Sequence, residues 1–268
     1  MSLTLLLVGC GKMGGALLDG WLAAGSVARV AVVEPNDDSA TAGHERVLRC
    51  AGADALPSRF APDVVVFAVK PQVIGSVVPD YRRFVGPETV FLSIAAGKPI
   101  RWFEDELAPA AAVVRAMPNT PASVGRGITV ACANEAATAE QRDRCETLLR
   151  AVGDVAWIDD EALIDPVTAV SGSGPAYVFL LIEALAAAGV KAGLPPELAT
   201  RLARATVAGS GELAHRSIEP ASKLRENVTS PGGTTQAALR VLMADDGLQP
   251  LLDRAVAAAT RRARELAG

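Results

Sequence analysis

The stretch Leu3-Thr4-Leu5-Leu6-Leu7-Val8-Gly9-Cys10-Gly11-Lys12-Met13-Gly14 decides the fold. Its short apolar run reads as a strand buried on both faces, and glycines at G-x-G-x-x-G spacing follow at once and open a helix over residues 13–24. The first glycine permits a tight turn, the second lets the backbone approach a pyrophosphate, and the third brings helix and strand close. Phosphate oxygens would meet unpaired N–H groups at the positive end of the helix. Alone, the spacing is common. The strand before it, the helix after it and an acid, Glu34, at the end of the second strand give it a dinucleotide-binding context.

Outward from this turn, residues 30–33, 64–69 and 90–94 are further Val-, Ile- and Leu-rich runs without polar alternation. Strand, helix, strand repetition with such strands implies a parallel sheet covered on both faces. Residues 111–115, 128–133 and 155–158 are further strand candidates, with a helix over 140–152. The acidic run Asp159-Asp160-Glu161 marks a boundary, giving a dinucleotide-binding domain over 1–158 and a helical dimerisation and substrate-binding domain over 159–268. Helices are expected at 175–192, 196–213, 235–244 and 249–266, with no strand among them. Small residues such as Ala186, Ala203 and Gly209 allow close helix approach. Helices this apolar are hard to bury within their own half, so they are expected to pack against another subunit as well.

Composition narrows the chemistry. The chain has 268 residues, a formal net charge of -4 and 4% aromatic residues, which argues against a nucleic-acid surface. His44 and His215 are the only histidines, so a histidine-rich metal centre or a Ser-His-Asp hydrolase is not expected, and no metal is assigned. Cys10, Cys50, Cys132 and Cys145 form no C-x-x-C pair and read as reduced, buried thiols of a cytoplasmic protein. The apolar stretch 176–188 falls short of the roughly 20 residues a bilayer requires, so a buried helix rather than a membrane span is expected. Chemistry on a borrowed cofactor is the reading that remains.

Three positions carry two readings each. A carboxylate at Glu34 would accept hydrogen bonds from an adenosine ribose and repel a 2′-phosphate, favouring NAD over NADP; a solvated strand-end acid fits the same place. The following Pro35-Asn36-Asp37-Asp38 supplies no arginine or lysine for that phosphate. Ser171-Gly172-Ser173-Gly174-Pro175 reads as a helix start that either faces an anion or, preferably, allows close subunit packing. Ser230-Pro231-Gly232-Gly233-Thr234-Thr235 is a second anion site at a helix start, suited to a substrate carboxylate, or a simple capped turn.

Taken together, these segments resemble the pyrroline-5-carboxylate reductase family. The resemblance is carried by residues 9–14, by Ala68-Val69-Lys70-Pro71-Gln72 and by Ser93-Ile94-Ala95-Ala96-Gly97. It continues through Arg115-Ala116-Met117-Pro118-Asn119-Thr120-Pro121 and through residues 168–177. It closes with Asn227-Val228-Thr229-Ser230-Pro231-Gly232-Gly233-Thr234-Thr235. The last two segments, in this order and spacing, are highly specific to that family.

The resemblance implies an N-terminal Rossmann-type doubly wound sheet and an all-α C-terminal domain that interlocks into homodimers, often assembled into a pentamer of dimers. It implies an active site formed where one subunit's cofactor domain meets its partner's helices. NADPH or NADH would be held by Val8, Gly9, Cys10, Gly11, Lys12, Met13 and Glu34. Ala68, Val69, Lys70, Pro71, Ile94, Ala95, Ala96, Asn119 and Asn227 would complete that site. The loop of Ser230, Gly232, Gly233, Thr234 and Thr235 would hold the substrate carboxylate, with Val228 against the ring and Thr235, the catalytic candidate, near the ring nitrogen. Lys70 also fits a solvated lysine, and Asn119, between two prolines, also fits a loop stiffener. The implied reaction is reduction of 1-pyrroline-5-carboxylate to L-proline in amino-acid biosynthesis. One departure bears on the coenzyme: members that prefer NADPH usually carry a small hydroxyl or basic residue where Glu34 stands. Competing readings are another imine or β-hydroxyacid dehydrogenase-type reductase, for which Lys191 and Lys223 are the candidate lysines, and a non-catalytic dinucleotide-sensing oligomer.

Overall fold

Eight strands form one sheet in the order β3-β2-β1-β4-β5-β6-β7-β8. They are β1 (Leu3–Val8), β2 (Val27–Val33), β3 (Val47–Cys50), β4 (Val64–Phe67), β5 (Val90–Ser93), β6 (Ala112–Met117), β7 (Gly127–Ala133) and β8 (Gly153–Trp157). The structure, a computed structural model, describes residues 3–35 and 44–267. Helices are α1 (Lys12–Ala24), α2 (Ile74–Val77), α3 (Ile100–Glu106), α4 (Ala139–Arg150), α5 (Ile164–Val167), α6 (Gly174–Lys191), α7 (Pro196–Arg216), α8 (Ala221–Asn227), α9 (Thr234–Leu242) and α10 (Leu248–Ala267). The chain divides into two compact units, Met1–Gly172 with Ala259–Gly268, and Ser173–Ala258. The first therefore runs past the last strand and takes in α5.

Continuous apolar strands work here because the sheet is covered twice. Leu5 and Leu7 point into one core with Leu17, Leu18 and Trp21 of α1 and with Leu148 and Leu149 of α4. Leu6 and Val8 point into the other, with Ile74, Tyr81 and Phe103. Burying each such side chain contributes about 1.5–3 kcal/mol. Trp21 also donates from Nε1 to the Leu148 carbonyl at 2.9 Å, which ties α1 to α4 on the same face. Local sequence sets the helix ends. α4 begins at a reciprocal cap in which Thr138 Oγ1 accepts from Gln141 N and Gln141 Oε1 accepts from Thr138 N. α1 ends on left-handed Gly25.

Two expectations change. The sheet is parallel except between β6 and β7, which run antiparallel. Their connection, residues 118–126, is too short for a crossover, and a tight turn at Thr120–Val124 reverses the chain instead. The strand β3 was not foreseen: a four-residue edge strand, interrupted by Arg49, gives almost no periodic signal.

In the second unit α6 and α7 approach through small residues; a methyl group on Gly189 would lie 3.3 Å from Ala199 Cβ. None of α6 is buried within the chain, and Phe179, Leu180, Leu181 and Leu185 are exposed. The helical run Glu161–Lys191 contains an 18-residue window of mean hydropathy 1.6, long and apolar enough by length and composition to cross a membrane. The helical run is therefore longer than the apolar stretch 176–188 on which a span was judged too short, and its exposed side chains accord with the expected packing against another subunit. The segment 171–175 holds the expected helix start: Ser173 is the N-cap of α6 and Pro175 stands in its first turn. Helical turns already run through α5 and a π-turn at Thr168–Gly172, and Gly172 sits so close to Met117 that a Cβ there would come within 2.7 Å of its Cε.

Candidate functional site

β1 delivers the glycine turn to the point where strand order reverses, between β1 and β4. In open α/β sheets ligands bind in the crevice outside the strand ends at this point. Each glycine of the turn has its own reason. Gly9 has φ of 89°, and a Cβ there would lie 2.8 Å from the Ala68 carbonyl. Gly14 presses α1 onto the turn, with a hypothetical Cβ 2.5 Å from the Gly9 carbonyl. Gly11 faces open space among the described residues, none of which comes within 4 Å of a Cβ position there. It is also the N-cap of α1 and carries no side-chain cap, so the first-turn amides point outward.

Glu34 is held at two points beside this turn. Its backbone N–H donates to Cys50 O at 3.2 Å, and its Oε2 accepts from Cys10 N at 2.8 Å. A cavity of about 510 Å³ opens here. Of the residues expected to hold a dinucleotide, Val8, Gly9, Gly11, Glu34, Ala68, Val69 and Lys70 line it. Cys10, Lys12, Met13 and Pro71 flank it in the chain without lining it, and Asn36 to Asp38 lie outside the described residues. Gly52, Ala53, Asp80 and Tyr81 line the cavity and were not foreseen, because β3 and the short helical turn Val78–Phe84 after α2 that bring them there give weak sequence signals. Burial, then the neighbouring Asp80, pushes the Tyr81 phenol well above its ordinary pKa, so the phenol keeps its proton. An open glycine, outward amides, a cavity of ligand size and a tethered acid together fit a dinucleotide.

The remaining expected residues sit elsewhere. Ile94 and Ala95 are buried at the end of β5, where Ile94 N donates to Phe67 O, and the half-buried Ala96 follows. Asn119 is 8% exposed; its Oδ1 accepts from Ile128 N and its Nδ2 donates to Ser171 O, so it pins the β6–β7 return. Asn227 belongs to the second unit, where it donates to Glu219. Arg115, 6% exposed, forms a 2.8 Å ion pair with Glu161, and the same carboxylate oxygen accepts from Ile100 N.

The second unit holds the late loop. Gly232 has φ of 71° and donates to Gln236 Oε1, and Gly233 N donates to Ser230 O at 3.0 Å. The Gly233 amide, expected on a carboxylate, therefore closes the turn. Thr234 and Thr235 open α9 after a Gly233 N-cap that has no side-chain cap; their amides precede any helical carbonyl partner. Ser230 and Val228 are exposed beside them, and Thr235 is half-buried. Among the described residues no group of His, Cys, Asp and Glu could hold a metal ion.

Comparisons with known proteins match the two parts of the chain to two family models. Residues 161–266 match the family model described as pyrroline-5-carboxylate reductase dimerisation, and residues 4–97 match one described as NADP oxidoreductase, coenzyme F420-dependent. The chain is 42% identical to the pyrroline-5-carboxylate reductase of Pseudomonas aeruginosa, covering 97% of this chain and 95% of that protein. With the enzyme of Pisum sativum the identity is 38%, over 99% and 96%. The solved structure of a pyrroline-5-carboxylate reductase from Coxiella burnetii superposes with a TM-score of 0.91 at 35% identity, covering 100% of both chains. That of Plasmodium falciparum pyrroline carboxylate reductase with NADP bound gives 0.83 at 30%, over 99% and 98%.

Proposed function

The chain belongs to the pyrroline-5-carboxylate reductase family, and from that premise we infer that it reduces 1-pyrroline-5-carboxylate to L-proline with NADPH or NADH. The observation that carries the reading is the presence on one chain of the glycine turn with its cavity and of the dimerisation helices that bear the Ser230 to Thr235 loop.

When bound, the reduced nicotinamide supplies the hydride, and a proton on the ring nitrogen completes saturation of the C=N bond. The protein's task is orientation, which can supply roughly 7–11 kcal/mol of the barrier. We assign the coenzyme phosphates to the amides of the Gly9 to Gly14 turn and the adenosine side to Glu34, Ala68, Val69, Lys70 and Pro71. Cys10, Lys12, Met13 and Val8 shape the turn itself. Ile94, Ala95, Ala96 and Asn227 serve the nicotinamide side, and Asn119 fixes the loop after β6. The substrate carboxylate is gripped by the amides of Thr234 and Thr235 and the Ser230 hydroxyl, within the turn that Gly232 and Gly233 shape. Val228 lies against the ring, and Thr235 hydrogen-bonds the ring nitrogen and supplies or relays its proton.

The protein is a homo-oligomer. The exposed apolar side chains of α6 support a second copy, rather than lipid, as their cover, because the dimerisation family model spans this helix. A homodimer whose partner helices complete each active site, its assembly into a pentamer of dimers, and a cytoplasmic location make up the finer reading. Light scattering on the purified protein tests the assembly. The activity is tested by following coenzyme oxidation at 340 nm with 1-pyrroline-5-carboxylate, NADH and NADPH in parallel. Turnover with at least one coenzyme is expected. Coenzyme binding without turnover would overturn the reading in favour of a dinucleotide-sensing oligomer.

A further inference from the structure

We propose that Glu161 is a positioning residue for the assigned reduction: its carboxylate anchors the far end of the loop over residues 94–99, whose near end serves the nicotinamide. This rests on the placement of Ile94, Ala95 and Ala96 on the nicotinamide side and adds the group that holds them there. The loop leaves β5 at Ser93 and enters α3 at Ile100. Its β5 end is tied locally, where Ile94 N donates to Phe67 O at 3.0 Å and Ala95 N donates to Ser93 Oγ at 3.3 Å. Its α3 end lacks such a tie. The N-cap there is Pro99, which makes no side-chain cap, and the first amides of a helix have no carbonyl partner of their own. Glu161, 61 residues further on, supplies the acceptor: Ile100 N donates to its Oε1 at 2.8 Å. Between the two ties Gly97 has φ of 79°, and a Cβ there would lie 2.8 Å from the Leu266 carbonyl, so the middle of the loop has no room on that side.

Glu161 is itself held. Asp160 Oδ1 accepts from Ala162 N at 2.9 Å and caps the short helical turn Glu161–Leu163. Arg115 Nη1 donates to the same Glu161 Oε1 at 2.8 Å. Arg115 is 6% exposed, and a guanidinium buried that far needs an anion beside it, which fixes the carboxylate where Ile100 N meets it. Arg115 also stands in register with Ser93, the residue from which the loop departs. Both ends of the loop are therefore referred to one point of the sheet. A displacement of about 1 Å between reacting atoms can cost about 100-fold in rate, so a loop released at one end loses its value for hydride transfer.

The test compares two double variants, neither of which keeps a charge at either position. Arg115→Met with Glu161→Gln retains an acceptor for Ile100 N; Arg115→Met with Glu161→Leu removes it. Hydrogen exchange on the coenzyme-free proteins, read by mass spectrometry, should be about tenfold faster over residues 94–103 in the protein with Glu161→Leu, with the other strands alike in both. With 1-pyrroline-5-carboxylate and NADH, kcat should fall about tenfold or more with Glu161→Leu and stay within about threefold of wild type with Glu161→Gln. Affinity for ADP-ribose, which lacks the nicotinamide, should be the same in both by calorimetry. Equal exchange or equal kcat in the two proteins would overturn the proposal. So would a loss of ADP-ribose affinity parallel to that of kcat, which marks a merely structural role. Wild-type protein that binds NADH without turnover refutes the reduction instead, and that result is distinct from any difference between the two variants.

Discussion

Replacing Gly11 by alanine separates the fold from the ligand more cleanly than any other change in the turn. Gly11 has φ of -68° and ψ of -163°, a conformation alanine adopts freely. A Cβ there meets no atom of the described residues within 4 Å. Alanine is a poorer N-cap than glycine, by about 0.5–1 kcal/mol, and its lower unfolded-state entropy returns a comparable amount. The apo protein should therefore unfold within about 1 kcal/mol of wild type. Coenzyme binding should not survive. Phosphate oxygens must come to about 2.9 Å from the turn's amides, and the added methyl occupies the open space from which they approach. A retreat of about 1 Å is enough to lose those bonds, and a loss of at least 100-fold in affinity, about 2.8 kcal/mol, is expected. Gly14→Ala is the contrasting case. Its methyl would sit 2.5 Å from the Gly9 carbonyl, so the helix must retreat, and both stability (by about 1–3 kcal/mol) and binding should fall. Urea unfolding and calorimetric titration with NADH measure the two quantities independently. Wild-type affinity in Gly11→Ala would refute the placement of a dinucleotide on this turn.

Thr235→Ala should lower turnover at least tenfold, about 1.4 kcal/mol, with coenzyme affinity unchanged; wild-type steady-state kinetics would remove Thr235 from proton transfer. Arg115→Met leaves Glu161 with Ile100 N but without its guanidinium, and should destabilise the chain by about 2 kcal/mol in urea unfolding. Adding Glu161→Gln should recover part of that loss, and full additivity of the two changes would mean that the pair is not coupled. All four cysteines are free and buried, and burial pushes the Cys132 thiol up to about 11 from its ordinary 9.0. As pH rises from 9 toward 11 the unfolded chain loses that proton first, so stability should fall across this window. Chromogenic thiol reagents at pH 8 should accordingly label the folded protein slowly and all four thiols once it is unfolded.

Much of the architecture was legible because it depends on local pattern. The runs around Leu5, Val65 and Leu92 show no polar alternation because both faces of the sheet are covered, and that burial is written in the sequence itself. The spacing of Gly9, Gly11 and Gly14 identified the turn because each glycine answers a different backbone demand. Where pairing depends on partners distant in the chain, the pattern was silent. Nothing in Val47 to Cys50 announces an edge strand, and nothing in residues 118–126 except their brevity announces that β7 runs antiparallel to β6.

The site divides along the same line. Residue types and spacing were enough to identify an acid at Glu34 and a hydroxyl-rich helix start at Thr234, since each is a property of a few consecutive residues. That Glu34 is bound to Cys10, that Asn119 braces a loop with both ends of its amide, and that Asp80 and Tyr81 wall the cavity were decided by the tertiary structure alone. Such contacts join residues from 9 to 70 and more positions apart, and chain closure over those distances is set by how the strands order themselves in the sheet, not by any local preference of the residues that meet.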